Sequence, residues 1–347
     1  MTPGRPPGAA AVLVALGLTL AVLLSGCGGK GGGVEAPPEN PPRSELLAHI
    51  SSSVNADRMM ETVRLLSSAD MRGRPTGSPQ NQELTRFFEE SFRELGLQPL
   101  EALGLGGLRQ DFEVPSSRCF LEDPPAEETA LTASNVIGVI PGAERPDDFV
   151  VFTANFDGMG VDGETGEVFH GADFNATGAA AVLELARVMS GMGEAPPSTM
   201  VFAELNAGEC GHFGAKALAE AIEEKGLRGR FRMIDMEGLG AGEGDYMDVW
   251  DLNYRKNQPA VRALDQASSF LGVTLEINGS DSGSASSLFF VYHMACVTCD
   301  WSWFERSEHP DYHKSSDTAD RIREDGLLHS VQVVGVAGYL LSLQPMD

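Results

Sequence analysis

The amino-acid sequence predicts an α/β fold: a three-layer sandwich in which a mixed, mainly parallel sheet carries helices on both faces. Two observations predict it. Short apolar runs typical of buried strands alternate along the chain with longer stretches of helical periodicity. The roughly 300 residues that follow position 45 contain no repeat and no second linker, which suits one large domain.

Each element follows from its local pattern. Strands are predicted at residues 108–114, 135–140, 149–154, 199–205, 231–236 and 294–300. Helical stretches are predicted at residues 44–68, 79–95, 176–189, 212–224, 259–271 and 322–343. In parallel sheets, ligands bind beyond the carboxyl ends of the strands, and the polar residues considered below follow strands.

The N-terminal segment has the pattern of a targeting sequence. An apolar run at residues 9–24 is too short for a comfortable membrane span and suits a signal peptide. It leads into Leu24-Ser25-Gly26-Cys27, which resembles the lipobox of bacterial lipoproteins. We therefore expect a signal peptide at 1–26, a lipid on Cys27, a flexible Gly- and Pro-rich tether at 27–44 and the folded domain at 45–347. The alternative is an uncleaved signal anchor.

These features predict an exported protein anchored by its lipid in the bacterial cell envelope, in either the inner or the outer membrane. The chain has 25 basic and 50 acidic residues, a formal net charge of −25. Such a surface repels nucleic acid, so a DNA- or RNA-binding role is disfavoured.

Four cysteines lie in the predicted domain: Cys119, Cys210, Cys296 and Cys299. An even number in an exported chain permits two disulfides, with three connectivities that the sequence leaves open. The last two form a CxxC within a strand-like run, and no second CxxC accompanies it as a zinc ribbon would require. Structural disulfides and buried thiols are both compatible with this pattern.

Five segments, in this order, carry a resemblance to a known family. They read GRPTGS at 73–78, SNVIGVIPG at 134–142, GADFNATG at 171–178, IDMEG at 234–238 and YHKSSDT at 312–318. The chain resembles the zinc aminopeptidase family of clan MH, which includes leucyl aminopeptidases, glutamate carboxypeptidase, glutaminyl cyclase and the transferrin receptor ectodomain. The resemblance covers residues 55–345 and implies a zinc exopeptidase-like fold that holds two zinc ions.

The resemblance also assigns five metal-ligand positions. Glu209, Asp235 and His313 retain ligand residues. Asn155 stands where the family has a histidine, and Phe174 stands where it has the aspartate that bridges both metals. A benzyl ring cannot bridge two zinc ions that lie about 3.5–4 Å apart and repel each other.

The residues that support the ligands are also altered. Asp157, which the resemblance assigns to orienting the missing histidine, is present, but the general-base position is Gly208. Catalytic zinc is held by three protein ligands, and a lost general base costs a further ~10²–10⁴-fold in rate. We therefore expect an impaired domain that binds zinc weakly or at one site.

Neighbouring residues offer substitutes. Asp173 and His170 are candidate ligands beside the altered loop, and His212, Glu204 and Cys210 lie near Glu209 in sequence. His170, His212 or Glu204 could build a single-metal site with Glu209 and His313, whereas Asp173 would reach the metal only if its loop slipped by one residue. Cys210 could serve as a nucleophile or a metal ligand. The alternative function is thus an active metal-dependent hydrolase with a rebuilt single-metal site, or a di-zinc aminopeptidase in which the loops correspond differently.

The expected partner of an impaired domain is a peptide or a protein bound in the old cleft. An aromatic run, Trp301-Ser302-Trp303-Phe304, follows the last predicted strand. Exposed aromatic rings there would shape a binding groove, whereas buried ones would cap the sheet. The sequence leaves both arrangements open.

Overall fold

The computed structural model describes residues 43–119, 125, 127–241, 246–280, 283–300 and 310–346. The signal peptide, Cys27 and nearly all of the tether lie outside the described residues, as does the aromatic run at 301–304. Within the described ranges, no helix is both long and apolar enough to cross a membrane.

One mixed sheet runs through the described region. Its strands are β1 (Arg109–Pro115), β2 (Ala130–Ile140), β3 (Arg145–Asn155), β4 (Ser198–Leu205), β5 (Phe231–Met236), β6 (Tyr246–Trp250), β7 (Thr274–Asn278) and β8 (Ala295–Asp300). They lie in the order β1-β2-β4-β3-β5-β8-β6-β7. The four central strands β4, β3, β5 and β8 are parallel, whereas β2 and β6 run antiparallel to their central neighbours. The predicted mixed, mainly parallel sheet is confirmed.

Helices cover both faces of this sheet. They are α1 (Arg43–Ser53), α2 (Ala56–Leu66), α3 (Pro79–Glu94), α4 (Gly178–Ser190), α5 (Phe213–Glu224), α6 (Gln258–Leu271), α7 (Ala285–Val291) and α8 (Glu324–Ser342). Leu218 of α5 and Phe289 of α7 belong to one apolar cluster, and we call their side the α5 face. Leu185 of α4, Leu264 of α6 and Val334 of α8 belong to the other cluster, on the α8 face.

The alternation of side chains along the strands assigns each residue to a face. In β4, Val201 and Ala203 contribute to the cluster on the α5 face, whereas Met200 and Phe202 contribute to that on the α8 face. Every residue of β4 and β8 is buried, which agrees with the mainly apolar composition of both segments in the sequence.

The structure corrects one predicted element and adds three. The helical stretch expected at 44–68 is two helices, because Asn55 caps α2: its side chain accepts a hydrogen bond from the Arg58 amide at 2.9 Å. The Asn55 amide donates to Glu184 at 2.9 Å, which fixes this break against α4. The sequence did not predict β6, β7 or α7.

Candidate functional site

A cavity of about 230 Å³ opens beyond the carboxyl ends of β3, β4 and β5. Its position agrees with the general location of ligand sites in parallel sheets. It is lined by Asn155, Phe174, Gly208, Glu209, Gly211, His212, Glu237, Gly283, Tyr312 and His313. Four of the positions that the sequence singled out as ligands or their replacements, Asn155, Phe174, Glu209 and His313, therefore meet at one cavity, together with the general-base position Gly208.

A buried arginine shapes the loop that precedes Phe174. Arg74 is fully buried and donates hydrogen bonds to the backbone carbonyls of Leu66, Phe156, His170 and Gly171, at 2.6–3.2 Å. Burial lowers the pKa of this guanidinium. The side chain joins the end of β3 to the loop of the GADFNATG segment, so the GRPTGS segment has a structural role here.

Asp157 holds the turn that carries Glu209. The Asp157 carboxylate accepts hydrogen bonds from the amides of Gly208 at 2.8 Å and Glu209 at 3.1 Å, and from the Thr76 hydroxyl at 3.0 Å. Burial, and then the neighbouring Glu209 carboxylate, raise its pKa to about 6. The predicted supporting residue therefore supports the Glu209 turn instead of a histidine.

Asn155 is engaged at both ends of its side chain. Its Oδ1 accepts a hydrogen bond from Asn175 Nδ2 at 3.1 Å, and its Nδ2 donates to Asp157 Oδ1 at 3.3 Å. Asn175 also donates to the Met236 carbonyl at 2.9 Å. The Asn155 amide, at the position where the resemblance predicts a histidine, thus links the GADFNATG loop to Asp157, and Asn175 links that loop to β5.

Gly208 is packed tightly against this amide. A Cβ atom added at Gly208 would lie 2.7 Å from Cβ, Cγ and Nδ2 of Asn155, closer than side-chain atoms can approach. Asn155 Cβ is fixed to the strand, so it cannot move aside. The general-base position and the histidine position are therefore coupled by packing, and Asn155 in its present place requires glycine at 208.

Phe174 places a phenyl ring where the resemblance predicts the shared carboxylate. Its backbone amide donates to Asp317 Oδ2 at 3.1 Å, and the peptide bond to Asn175 is cis. The ring is 7% exposed and packs edge-on against Tyr312, with 4.4 Å between ring centroids. Tyr312 in turn stacks on His313 at 3.8 Å. An aromatic wall occupies this side of the cavity.

The two retained ligands of one predicted metal meet across the cavity. His313 Nε2 lies 3.4 Å from Glu209 Oε2. Their side chains are 34% and 14% exposed, so both remain accessible from the opening. The turn at 208–209 and the loop that contains Tyr312 bring them together, although 104 positions separate them in the sequence.

Asp235 is placed beneath the cavity and does not line it. It follows Phe231 and Met233 along β5 and faces the α5 side, where Ser284 and Thr298 donate to its carboxylate. It is 1% exposed, and burial raises its pKa to about 7. Asp235 remains a predicted ligand position, but it does not line the cavity that Glu209 and His313 line.

Glu237 is the carboxylate that sequence reasoning missed. It lines the cavity two residues after Asp235, and its amide donates to the Cys299 carbonyl at 3.1 Å. Burial, and then the carboxylates of Asp235, Asp300 and Glu209, raise its pKa well above the ordinary value. The sequence could have indicated Glu237, because it lies two positions after Asp235, just beyond the end of β5, where residues of a strand share a side of the sheet.

The two substitutes beside the altered loop have other partners. The Asp173 carboxylate accepts from the Gly240 amide at 2.7 Å and from the Thr177 hydroxyl at 3.3 Å. His170 Nδ1 lies 2.8 Å from the Ser67 carbonyl oxygen. Neither side chain lines the cavity.

The remaining candidates are distributed differently. His212 lines the cavity with its Nε2 3.0 Å from the Gly283 carbonyl oxygen. Glu204 lies on the α8 face, fully buried, with no hydrogen-bond partner for either oxygen among the described residues. Cys210 points away from the cavity, into a small apolar cluster with Ala133 and Ala207.

The residues present do not fit the paired metal centre that the resemblance implies. The position that the resemblance assigns to the shared ligand holds a phenyl ring, and the amide of Asn155 is committed to Asn175 and Asp157. Among the described residues, no group of three or more His, Cys, Asp or Glu side chains is arranged to hold a metal ion. The cavity instead combines two carboxylates, two imidazoles and an aromatic wall.

Solved structures share this architecture. The aminopeptidase from Aneurinibacillus sp. strain AM-1 superposes with a TM-score of 0.65 at 18% identity, over 87% of this chain and 98% of that one. BSAP, a zinc aminopeptidase from Bacillus subtilis, gives 0.66 at 17% identity, over 82% and 95%. The Fimbriiglobus ruber glutaminyl cyclase gives 0.63 at 18% identity, over 83% and 95%. At these identities the similarity shows the fold alone.

The match to a family model identifies the chain more specifically than the similarity of folds does. The model of peptidase family M28 matches residues 135–337, more than half of the 347 residues. That span contains Asn155, Phe174, Gly208, Glu209 and His313, all of which line the cavity. The chain belongs to peptidase family M28, with a zinc-aminopeptidase-like domain.

Proposed function

We propose that this protein is a pseudopeptidase: an exported lipoprotein of the bacterial cell envelope, anchored through Cys27, whose M28 domain binds a peptide or protein and does not hydrolyse it. The observation that carries the proposal is the Phe174 ring, which lines the cavity at the position of the shared metal ligand and packs against Tyr312. A phenyl group supplies neither charge nor a lone pair to a metal ion.

The neighbouring side chains support this proposal because their oxygen and nitrogen atoms are committed elsewhere. Asp173 bonds Gly240 and Thr177, and His170 contacts Ser67. Glu204 has no such partner among the described residues, but it is fully buried on the α8 face and does not line the cavity. The general-base position offers no side chain, and packing against Asn155 excludes one. Family membership and the zinc aminopeptidase neighbours suggest zinc, so weak or single-site binding at Glu209 and His313 is the most that this donor set favours.

The charge of the cavity favours the amino terminus of a peptide as the bound group. Glu209 and Glu237 line the cavity, and the described lining contains no lysine or arginine. An ammonium group would pair with the Glu209 carboxylate and would favour the ionised form of Glu237, whose pKa is raised in the free protein. At about 230 Å³ the cavity is smaller than an ordinary small-molecule site and suits one end of an extended ligand.

The zinc content and the peptidase activity of the purified protein test whether the domain has lost its catalytic function. The purified protein, produced with zinc available and washed without chelator, is expected to contain far less than one zinc per chain. It should release no arylamine from aminoacyl arylamides, with the Bacillus subtilis zinc aminopeptidase as the positive control. One zinc per chain with activity would favour a rebuilt site at Glu209 and His313, and two would overturn the proposal.

Peptide binding tests the retained role. Peptides with a free amino terminus should bind at least ten-fold more tightly than the same peptides after acetylation, as measured by calorimetry. Glu209→Gln and Glu237→Gln should reduce this preference, whereas Glu83→Gln on the exposed side of α3 is the matched control. Equal affinity for free and acetylated peptides would exclude recognition of the amino terminus.

The anchor is tested separately. Cells that express the full chain should incorporate labelled palmitate into it, and Cys27→Ser should abolish both the label and the membrane association. A labelled Cys27→Ser variant would show that the lipid, if present, is attached elsewhere.

A further inference from the structure

Two cysteines lie directly behind the turn that carries Glu209. Cys119 follows β1 and Cys210 is the residue after Glu209, with their sulfur atoms 3.4 Å apart. They belong to one small cluster with Val114, Ala133 and Ala207. Cys210 is 3% exposed, whereas Cys119 is only partly buried, so one of the two sulfurs is near solvent.

The other two cysteines, Cys296 and Cys299, lie on opposite faces of the sheet. Cys296 belongs to the cluster on the α5 face and Cys299 to the cluster on the α8 face. Residues three apart on a strand point to opposite sides of the sheet, so these thiols cannot reach each other. Of the pairings that the sequence left open, only that of Cys119 with Cys210 has both sulfurs in contact.

We propose that Cys119 and Cys210 form a disulfide bond when the protein meets a disulfide oxidant, and that this bond fixes the Glu209 turn from behind. The sulfur atoms must approach by roughly 1.4 Å to reach bonding distance, which small rotations of two side chains can supply. The two chain segments already touch, because Arg118 Nε donates to the Cys210 carbonyl at 3.4 Å.

The chemistry is thiol–disulfide exchange with a small disulfide such as oxidised glutathione. The Cys119 thiolate attacks one sulfur of the oxidant and releases the first thiol; the Cys210 thiolate then attacks Cys119 Sγ and releases the second. The protein loses two electrons and two protons, and the oxidant becomes two thiols. Cys119 is the thiol that the oxidant reaches from solvent, since Cys210 is buried.

A disulfide between Cys119 and Cys210 would fix the Glu209 turn on its second side. Asp157 holds the amides of Gly208 and Glu209 on the β3 side, whereas noncovalent contacts alone hold Cys210 on the β1 side. A cross-link there closes a loop of about 90 residues, a length for which the stabilisation by a disulfide is large. This inference concerns the turn itself and holds whether or not the cavity binds a peptide or zinc.

The test uses the full chain, equilibrated in oxidised or reduced glutathione, alkylated under denaturing conditions and mapped by mass spectrometry. The oxidised sample should contain a peptide that joins Cys119 to Cys210 and should carry alkyl groups on Cys296 and Cys299. Its melting temperature should exceed that of the reduced sample by about 5–10 °C. Absence of the linked peptide, or a linked peptide that contains Cys296 or Cys299, would overturn the proposal.

Variants make the thermal result specific. In Cys119→Ser and in Cys210→Ser, the oxidised and reduced samples should melt at the same temperature. In Cys296→Ser and Cys299→Ser, the difference between the two samples should remain. Each comparison is internal to one variant, so a general loss of stability from the substitution does not affect it. A shift that persists without Cys119 or Cys210 would contradict the assignment.

Discussion

Two groups of residues surround the cavity: a frame behind it and the lining that faces it. They differ in how many hydrogen bonds their side chains make. Arg74, Asp157 and Asn175 form the frame, and each makes three or more hydrogen bonds to neighbouring backbone or side chains. Phe174 and Gly208 of the lining, in contrast, offer only hydrocarbon or no side chain to the cavity. The difference indicates that the loops around the cavity are held by residues that do not line it.

Removal of the central residue of the frame should have the largest effect. Arg74→Met leaves buried carbonyls at Leu66, Phe156, His170 and Gly171 without their donor. We expect the free energy of unfolding to fall by about 3–5 kcal/mol, measured by denaturant titration. Arg86→Met, at an exposed position of α3, is the matched control and should change it by less than about 0.5 kcal/mol. Equal effects would show that the frame does not depend on Arg74.

Glu204 contrasts with the frame, because neither of its buried oxygens has a hydrogen-bond partner among the described residues. Burial raises its pKa well above the ordinary value of 4.5, so the folded protein binds a proton that the unfolded chain releases at neutral pH. This side chain therefore destabilises the fold increasingly as the pH rises above 4.5, up to the pKa of the folded state.

Replacement of Glu204 should remove this pH dependence. We expect Glu204→Gln to be more stable than the wild type at pH 7 and equally stable at pH 4, with the difference growing as the pH rises above 4.5, measured by denaturant titration at each pH. Glu83→Gln, at an exposed position, should match the wild type throughout. A constant difference between Glu204→Gln and the wild type across this range would contradict the raised pKa.

A small side chain at the general-base position tests the coupling within the lining. Gly208→Ala places a Cβ atom 2.7 Å from Asn155 Cβ, and we expect overpacking to cost about 1–3 kcal/mol of folding free energy. Gly163→Ala, where nothing lies within 4 Å, is the control. In the double variant with Asn155→Gly the contact is absent, so the two changes should not be additive. Additive costs would show that the two positions are independent.

The frame and lining also differ in how far the sequence could predict them. The motifs located Asn155, Phe174 and Gly208, because strand ends and loop patterns are local features, and all three line the cavity. No apolar run marks β7 as a strand, since its side chains are mostly exposed at the sheet edge. Helix α7 has 7 residues, too few to show a periodicity.

Side-chain partners that are distant in the sequence could not be predicted. Asp173 was a candidate ligand, but its partner Gly240 lies 67 positions away, and the packing of α4 against β5 brings the two together. Likewise, the register that pairs Thr153 with Asp235 places Asp235 below the strand end and leaves Glu237 at the cavity. Such contacts depend on the register of neighbouring strands, which no local pattern encodes.

The smallest expected change concerns zinc and tests the correspondence of Phe174 itself. Full restoration by Asn155→His, Phe174→Asp and Gly208→Glu should raise zinc affinity, but it meets the close contact at position 208. Phe174→Asp alone avoids that contact and adds a carboxylate beside Glu209 and His313, which completes three protein ligands. We expect its dissociation constant for zinc, measured by calorimetry, to be at least ten-fold lower than that of the wild type. Phe174→Asn introduces a side chain of the same shape as aspartate but without its charge, so its zinc affinity should rise much less. Equal zinc affinity in the wild type, Phe174→Asp and Phe174→Asn would mean that position 174 does not face a metal site.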